Sequence, residues 1–441
     1  MSSCIIFDSD DIVVHYVDGK TDYILVTFIG IGHEESAQSV YFGKPIVERH
    51  NITCLVVTTR KRNWYYSHNM HTALRIMRQI LEKYNQVITI GLSAGAYAAI
   101  KYSRILASQR TLALGPQLTI DDQEGDVIPE WAALCEPSMR GMGLKPDDLH
   151  GSIFTLFDRA HHGDAHTVER LLDYARDRSH VDVAPINVPS AGHIVYESLK
   201  GSRNLKELID MLVRPDTAKD CAWQLQKATS VFRRVNTTNL YNRIVSGYHK
   251  HPKLVYDMLV SSRFREDFQF RDILRDETLL FRVCARLSEK GYVSEAQILL
   301  RGLVDYYASG IYQPGGDDHL IMGVPVMLDH RGRTLGYSAR ERQFTSSNIV
   351  WMEGDATPVS LTHVDRIAYP CISVLGKRLF LDLEEGRVQA VTATGRLRAR
   401  CRGTTCGIQD DASRYLTVLG DREMAWSAYQ LSYETFSVVT I

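Results

Sequence analysis

The sequence predicts an α/β protein whose mostly parallel sheet occupies the first two hundred residues, followed by a helical region and an all-β domain. Three successive patterns in the spacing of apolar residues indicate this order. Residues 21–200 alternate β-rich apolar runs with segments of helical period, residues 203–310 keep the helical period alone, and the remainder shows short strands and turns. We therefore expect domains at residues 1–202, 203–312 and 319–441.

Composition and charge exclude several classes of partner. The 441 residues are too many for one ordinary hydrophobic core. Lys and Arg number 51 against 52 Asp and Glu, so the net charge of −1 gives no general attraction for nucleic acid, and none is expected as a partner. No apolar run reaches the ~20 residues that span a bilayer, and the N-terminus lacks a signal-peptide pattern. We expect a cytoplasmic protein without a membrane span.

Two apolar runs and one amphipathic segment precede the most informative stretch of the chain. Residues 23–28 and 54–59 are continuous β-rich runs, which are typical of strands buried on both faces of a parallel sheet. After the second run, apolar side chains recur at helical spacing, at Ala73, Met77, Ile80, Leu81 and Tyr84. This order predicts a βαβ unit that leads into a further strand at residues 87–90.

The stretch Gly91-Leu92-Ser93-Ala94-Gly95 follows that strand and precedes a run of small residues. A buried strand therefore enters a sharp turn and a helix leaves it, with Ser93 at the turn. Glycines two residues before and after Ser93 suit a turn where strand and helix nearly touch, and tight packing alone would also explain them. The stretch resembles the nucleophile elbow of the α/β-hydrolase superfamily. The resemblance implies that Ser93 is a nucleophile.

The same resemblance implies that an acid and then a histidine follow along the chain. The apolar run 153–157 ends at Asp158, Asp164 begins a helical segment, and His193 opens a late helix. Ser93, an aspartate and His193 thus stand in the order of the superfamily. Asp158 is the preferred acid because it ends a strand at the sheet edge where ligands bind. Asp164 is the alternative acid, and it also suits the cap of a helix.

The resemblance places a second oxyanion donor in the turn after the first central strand. Phe28-Ile29-Gly30-Ile31-Gly32 stands there, without the common His-Gly form of the superfamily. We expect the backbone N–H groups of Ile29 and Ala94 to bind the oxyanion. The glycines serve equally well to let the chain turn.

An aromatic segment follows the strand at residues 54–59. Asn63, Trp64 and Tyr65 are expected to overhang the sheet edge that carries Ser93. Aromatic side chains at that edge would stack on a sugar ring, and core packing is an equally common role for them. We take the three residues as candidate substrate-binding residues.

Histidines cluster around Asp164, at positions 161, 162 and 166. Their spacing matches no metal signature such as H-E-x-x-H, and a solvated loop explains them better. We expect neither a metal nor a cofactor.

Helical period continues beyond residue 203. One apolar face consists of Leu205, Leu208, Ile209, Leu212 and Val213, and a second of Ala296, Leu299, Leu300, Leu303 and Tyr307. These faces predict a bundle or an array of helical hairpins, which would serve as a spacer or as a platform for a partner.

Three segments of the C-terminal region align without gaps, at residues 332–337, 376–381 and 413–418. Each copy would expose an apolar hairpin face that only the other copies cover. The pattern weakly resembles a β-trefoil of the fascin or lectin kind, and a β-sandwich fits the same strands. The resemblance implies a glycan or a protein as a ligand of this domain.

These patterns together predict a serine hydrolase, an esterase or deacylase of EC class 3.1. Ser93 would attack an acyl ester, His193 would act as base and acid, and an aspartate would orient the imidazole. Fewer than 40 residues separate Pro116 from Ile153, so no long cap is expected, and an open site favours a bulky or polymeric ester such as an acylated glycan. The expected partner is therefore a small-molecule or glycan ester. An acyltransferase with the same residues is one alternative. A non-catalytic sugar- or protein-binding scaffold on this fold is the other.

Overall fold

The computed structural model describes residues 2–34, 41–125, 127, 129–260, 279–299, 325–347, 356–374, 377–402, 405–419, 424–428, 430 and 434–440. Contacts between residues divide the chain into two compact units, residues 1–242 and 243–441. Across the described ranges, no helix is long and apolar enough to cross a bilayer.

An eight-stranded sheet forms the centre of the first unit. Its strands are β1 Ser2–Asp8, β2 Ile12–Asp18, β3 Tyr23–Phe28, β4 Cys54–Thr59, β5 Gln86–Leu92, β6 Arg110–Leu114, β7 Gly151–Phe157 and β8 Val181–Asn187. They lie in the order β1-β2-β4-β3-β5-β6-β7-β8. Strands β3 to β8 pair in parallel, and β1 and β2 add an antiparallel edge. The predicted α/β class with a mostly parallel sheet is confirmed.

Helices cover both faces of this sheet. They are α1 Lys44–His50, α2 His68–Leu81, α3 Ala94–Lys101, α4 Pro129–Ala132, α5 His162–Ala175, α6 Val195–Leu199, α7 Ser202–Val213 and α8 Ala218–Arg234. Alternate residues of a strand point to opposite faces, so Ile24 and Val26 of β3 share a core with α2 and α3. Leu25 shares the other core with α1, α6, α7 and α8. Both faces of β3 are therefore buried, as its continuous apolar run predicts.

The division between the units differs from the predicted domain limits. Leu208 and Leu212 of α7, with Leu225 of α8, pack in the same core as Leu25 and Ile88 of the sheet. An amphipathic helix needs a partner for its apolar face, and the sheet supplies one. The expected limit at residues 202 and 203 is therefore corrected, because α7 and α8 belong to the α/β unit.

The second unit has an antiparallel β domain. Its strands are β9 Pro325–Leu328, β10 Thr334–Ser338, β11 Gln343–Ser347, β12 Ala356–Pro358, β13 Ser360–Val364, β14 Ile367–Val374, β15 Lys377–Glu384, β16 Arg387–Val391, β17 Arg398–Arg402, β18 Thr405–Gln409, β19 Tyr415–Val418, β20 Met424–Ser427 and β21 Phe436–Thr440. The main path runs β11-β10-β9-β21-β18-β17-β14-β15-β16. The expected all-β domain is confirmed, whereas the trefoil arrangement is not.

The remaining helices do not form a body of their own. Helix α9, Thr237–Gly247, crosses the division, and α10 Pro252–Val260 and α11 Leu279–Glu289 lie in the second unit. Helix α11 packs on β21, where Ser437 Oγ donates a hydrogen bond to the Ala285 carbonyl and Ser288 Oγ donates to the Val438 carbonyl, each at 3.1 Å. The predicted face residues Leu300, Leu303 and Tyr307, and the expected limits at 312 and 319, lie outside the described residues.

Two of the three aligned segments begin with the same turn. Asp329 accepts hydrogen bonds from the backbone N–H of Arg333 at 2.9 Å and from its Nε at 3.0 Å. Asp410 accepts the same two bonds from Arg414, both at 2.8 Å. The residue before each arginine is left-handed, with φ of 75° at Gly332 and 63° at Ser413. The remaining segment, residues 376–381, begins at Gly376, which lies outside the described residues.

The arginine is buried in the turn at Asp329 and exposed in the turn at Asp410. The same Asp→Asn substitution should therefore lower the free energy of unfolding by different amounts. The Asp329 and Arg333 side chains are 1% and 4% exposed, whereas the Arg414 side chain is 50% exposed. We expect Asp329→Asn to lower the free energy of unfolding by about 3 kcal/mol, because it removes the carboxylate charge that faces a buried guanidinium. Asp410→Asn should cost about 1 kcal/mol, because water solvates Arg414. Urea unfolding of both variants measures the difference, and equal costs would contradict this account of the turns.

Candidate active site

The turn at Ser93 has strained backbone between a strand and a helix. Strand β5 ends at Leu92, Ser93 has φ 55° and ψ −118°, and α3 begins at Ala94. A Cβ atom on Gly91 would lie 2.0 Å from the Gly95 carbonyl oxygen, and one on Gly95 would lie 2.3 Å from the Phe28 carbonyl oxygen. Only glycine fits at both positions, so strand and helix nearly touch as the sequence predicts.

Ser93 begins a chain of hydrogen bonds that links three side chains. Its Oγ lies 2.8 Å from Nε2 of His193, and Nδ1 of His193 lies 2.9 Å from Oδ1 of Asp164. The Asp164 side chain is 1% exposed and the His193 side chain 13%. Ser93 ends β5, His193 lies between β8 and α6, and Asp164 lies in the first turn of α5. The fold thus joins residues that are far apart in sequence.

The structure places the preferred acid, Asp158, elsewhere. Its Oδ2 accepts a hydrogen bond from the backbone N–H of Gly192 at 3.0 Å, and its Oδ1 accepts one from the N–H of Ala160 at 3.0 Å. Both carboxylate oxygens therefore bind backbone, and Asp158 holds the loop that carries His193. Asp164, the alternative acid, reaches Nδ1 of His193 because α5 begins at His162 and turns this residue toward the loop. The preference for Asp158 is corrected.

A second histidine shares the Asp164 carboxylate. His161 Nδ1 lies 3.1 Å from Asp164 Oδ1 and accepts a hydrogen bond from the Asp164 backbone N–H at 3.4 Å, so His161 and not Asp164 caps α5. Donation from a protonated His161 Nδ1 to the Asp164 carboxylate, together with the negative charge of that carboxylate, raises the pKa of His161 above its ordinary value. The His161 and His193 rings lie 5.3 Å apart between centroids. The histidine-rich segment was visible in the sequence, but its contact with His193 was not.

Trp131 is a further residue that the sequence did not indicate. It lies in α4, within the segment between β6 and β7, and its ring centroid is 5.1 Å from that of His193. The segment in which no long cap is expected therefore places an aromatic ring against the imidazole. Ser93 itself is 8% exposed, so the site is narrower than the absence of a long cap suggests.

The turn after β3 lies against the elbow. A Cβ atom on Gly30 would be 3.7 Å from Ser93 Cβ and 3.3 Å from the Leu92 carbonyl oxygen. Ala94 is the first residue of α3, where the N–H group has no helical acceptor. The N–H groups of Ile29 and Ala94 thus belong to the two segments that meet at Ser93.

The aromatic candidates are core residues. Trp64 and Tyr65 are fully buried and Asn63 is 8% exposed, so none of them offers a surface for a sugar ring, and that expectation is corrected. Both aromatic residues have left-handed backbone, with φ of 49° and 60°, and so turn inward. Trp64 Nε1 donates to Gln117 Oε1 at 2.7 Å, and the Tyr65 hydroxyl donates to the Ile29 carbonyl at 2.7 Å. Tyr65 thereby fixes the turn after β3, and burial raises its pKa so that it remains a donor.

A cavity of about 320 Å³ lies beside Asp164. Residues of the segment 117–131 form one wall, including Gln117 and Trp131, and residues 160–167 form the other, including His161. Asp164 Oδ2 and Gln117 Nε2 are buried, and no described residue gives either atom a hydrogen-bond partner. Buried polar atoms usually have a partner, so these two are available to a bound group or to water.

His161, Asp164 and His193 also form a group with metal-ligand chemistry. Each offers one ligand atom, and the three atoms lie within 4.8 Å of one another. The sequence spacing of the local histidines predicted no metal, because His193 joins this group only through the fold. Imidazole nitrogen and carboxylate oxygen are the donors that Zn²⁺ accepts.

The sequence matches no protein-family model and no curated protein. Among solved structures it is similar to the Pyrococcus furiosus esterase Pf2001, with 13% identity, 52% of this chain and 91% of that chain covered, and TM-score 0.33. It is also similar to the capsule O-acetyltransferase of Neisseria meningitidis serogroup A, with 12% identity, coverage of 46% and 92%, and TM-score 0.34. For esterase B from Lactobacillus rhamnosis the identity is 13%, the coverage 52% and 88%, and the TM-score 0.33.

The contact at Gly95 predicts a large loss of stability on adding a methyl group. Gly95→Ala should lower the free energy of unfolding by about 3 kcal/mol, because the Phe28 carbonyl and α3 must separate. Gly163→Ala is the matched control, because a Cβ there meets nothing closer than 3.7 Å and the position is helical. It should change stability by less than about 1 kcal/mol. Chemical denaturation measures the free energy of unfolding of both variants. A Gly95→Ala variant as stable as the wild type would contradict the close contact between α3 and the Phe28 carbonyl.

Proposed function

We propose that this chain is a serine hydrolase, an esterase or deacylase of EC class 3.1, that acts on an acyl ester. The observation that carries the proposal is the continuous chain of hydrogen bonds from Ser93 Oγ through His193 to Asp164 at the elbow. A serine hydroxyl is a weak nucleophile unless an adjacent base takes its proton. His193 Nε2 stands at hydrogen-bond distance for that transfer, and Asp164 stands where it stabilises the resulting imidazolium.

The proposed reaction has two halves. Ser93 Oγ attacks the acyl carbonyl while His193 takes the hydroxyl proton, and His193 then gives that proton to the leaving alcohol. Water next attacks the acyl-enzyme with His193 again as base, which releases the acid and restores Ser93. Asp164 keeps Nδ1 of His193 protonated throughout, so that Nε2 faces Ser93 as an acceptor.

The N–H groups of Ile29 and Ala94 are our proposed donors to the oxyanion. Their location beside Ser93 supports this role, because donors must point to where negative charge develops. Tyr65 supports it indirectly, because its bond to the Ile29 carbonyl restricts the rotation of the adjacent peptide groups.

The substrate that we propose has a small acyl group. Ser93 is 8% exposed, and Trp131 covers His193, so little space adjoins the hydroxyl. The alcohol portion lies toward solvent in such a site and tolerates bulk, which is compatible with the glycan ester expected from the sequence. Transfer of the acyl group to a sugar hydroxyl instead of water would use the same residues.

For the β domain we propose the glycan or protein ligand that the sequence predicts. A cavity of about 580 Å³ in this domain supports the proposal. Trp426 and Arg331 line this cavity, together with Glu434, whose Oε1 accepts a hydrogen bond from Thr417 at 2.9 Å. Ligand sites commonly combine an apolar wall with a few polar groups in this way.

The two aspartates should respond differently to the same substitution. Asp164→Asn should lower kcat on 4-nitrophenyl acetate by about 10⁴-fold, because the amide donates to Nδ1 and forces the wrong tautomer of His193. Asp158→Asn should lower kcat by about tenfold at most and reduce stability by about 1 kcal/mol, because it weakens bonds to the loop backbone. The Ser93→Ala variant gives the rate of 4-nitrophenyl acetate hydrolysis that does not depend on the Ser93 hydroxyl.

Steady-state kinetics and thermal unfolding of the three variants distinguish the roles. Equal losses of kcat in the two aspartate variants would contradict the assignment of Asp164. Wild-type kcat in Ser93→Ala on every ester tried would contradict the hydrolase proposal as a whole.

A further inference from the structure

Asp164 Oδ1 is the meeting point of two imidazole rings. Nδ1 of His193 lies 2.9 Å from it and Nδ1 of His161 lies 3.1 Å from it. The proposed reaction needs only His193 at this carboxylate. His161 therefore adds a second nitrogen donor that the reaction does not use.

We propose that His161, Asp164 and His193 form an inhibitory binding site for a Zn²⁺-type divalent cation. The site is distinct from a cofactor site, because the cation would occupy the groups that the hydrolase reaction requires. Binding of the cation does not depend on the proposed function. Inhibition by the cation rests on the proposed hydrolase function.

The two nitrogen–oxygen spacings at Asp164 are close to the ligand spacing of a tetrahedral cation. Zn²⁺ binds nitrogen and oxygen at about 2.0–2.1 Å, which places tetrahedral ligand atoms about 3.3 Å apart. The two nitrogen–oxygen distances are 2.9 and 3.1 Å, and the three donor atoms span less than 4.8 Å. In these two nitrogen–oxygen contacts, a cation between the donor atoms therefore needs shifts of a few tenths of an ångström.

A second observation independently points to a ligand at this position. Asp164 Oδ2 is buried and has no hydrogen-bond partner among the described residues, although the side chain is 1% exposed. A buried carboxylate oxygen without a partner costs free energy, and a cation would satisfy it. Asp164 and His161 both line the cavity of about 320 Å³, which gives a hydrated cation a path of entry and room for a water ligand.

The charge of the site also favours a cation. Asp164 and Asp158 are both buried, and both carboxylates interact electrostatically with His161. Zinc requires unprotonated ligand nitrogens, so His193 Nδ1 would exchange its proton for the cation. His161 Nδ1 would exchange its hydrogen bond from the Asp164 backbone N–H for the cation.

Occupancy and catalysis would be mutually exclusive. A cation on Nδ1 of His193 removes the proton that Asp164 holds there, and the positive charge beside the ring opposes uptake of a proton at Nε2. His193 then fails as a base toward Ser93. The expected effect is reversible inhibition that a chelator relieves.

The test is Zn²⁺ affinity, measured without substrate by competition with a chromophoric zinc chelator. The variants are His161→Asn and the control His71→Asn, an exposed histidine on α2. Asparagine also caps helices, so the start of α5 is retained. Loss of a group that only supports a ligand costs about 10–100-fold in metal affinity, so loss of His161 should cost at least about 100-fold. His71→Asn should bind like the wild type, and thermal unfolding confirms that both variants fold.

Inhibition is measured separately, as the ester turnover of each variant with Zn²⁺ divided by its own turnover without metal. Zinc should inhibit the wild type and His71→Asn and should leave the ratio for His161→Asn near one. Equal zinc affinity of wild type and His161→Asn would overturn the site, even if the enzyme hydrolyses esters. Zinc binding that depends on His161 in a chain without esterase activity would support the site and contradict the hydrolase proposal.

Discussion

The close contact between α3 and the strands beside it determines where the site residues of the α/β unit lie. Gly95 lets the first turn of α3 approach the Phe28 carbonyl at the end of β3, and Gly91 lets it approach β5. Ser93 is consequently forced into left-handed backbone at the sheet edge, with the turn after β3 beside it. A larger residue at either glycine would separate these segments. The hydroxyl and the two proposed oxyanion donors would then lose their common position.

The two aspartates are similarly buried, and their hydrogen-bond partners distinguish them. Asp164 and Asp158 are both nearly inaccessible, so each carboxylate must be stabilised by hydrogen bonds inside the protein. Asp158 binds two backbone N–H groups and fixes the loop before His193. Asp164 contacts the imidazole rings of His161 and His193. One aspartate thus stabilises loop backbone, and the other, six residues later, contacts two side chains.

Local patterns predicted much of the fold and part of the site. The parallel strands, the elbow at Ser93 and the all-β domain follow from apolar runs and glycine spacing, which short segments determine. The choice of Asp164 as the partner of His193 depends on how the loop before α5 turns, and no local pattern shows that. Trp64 and Tyr65 turn inward through left-handed backbone that the sequence does not reveal. The packing of α7 and α8 on the sheet is likewise a tertiary contact, and the cytoplasmic location stays a prediction.

An activated Ser93 is the central claim, and its reaction with a fluorophosphonate probe tests it most directly. Such a probe forms a stable bond only with a serine whose neighbouring base removes its proton. Peptide mapping by mass spectrometry of the folded full chain should find the phosphonyl group on Ser93, and the urea-unfolded chain should remain unlabelled. An unlabelled Ser93 in the folded protein, beside a serine hydrolase that labels under the same conditions, would contradict the account.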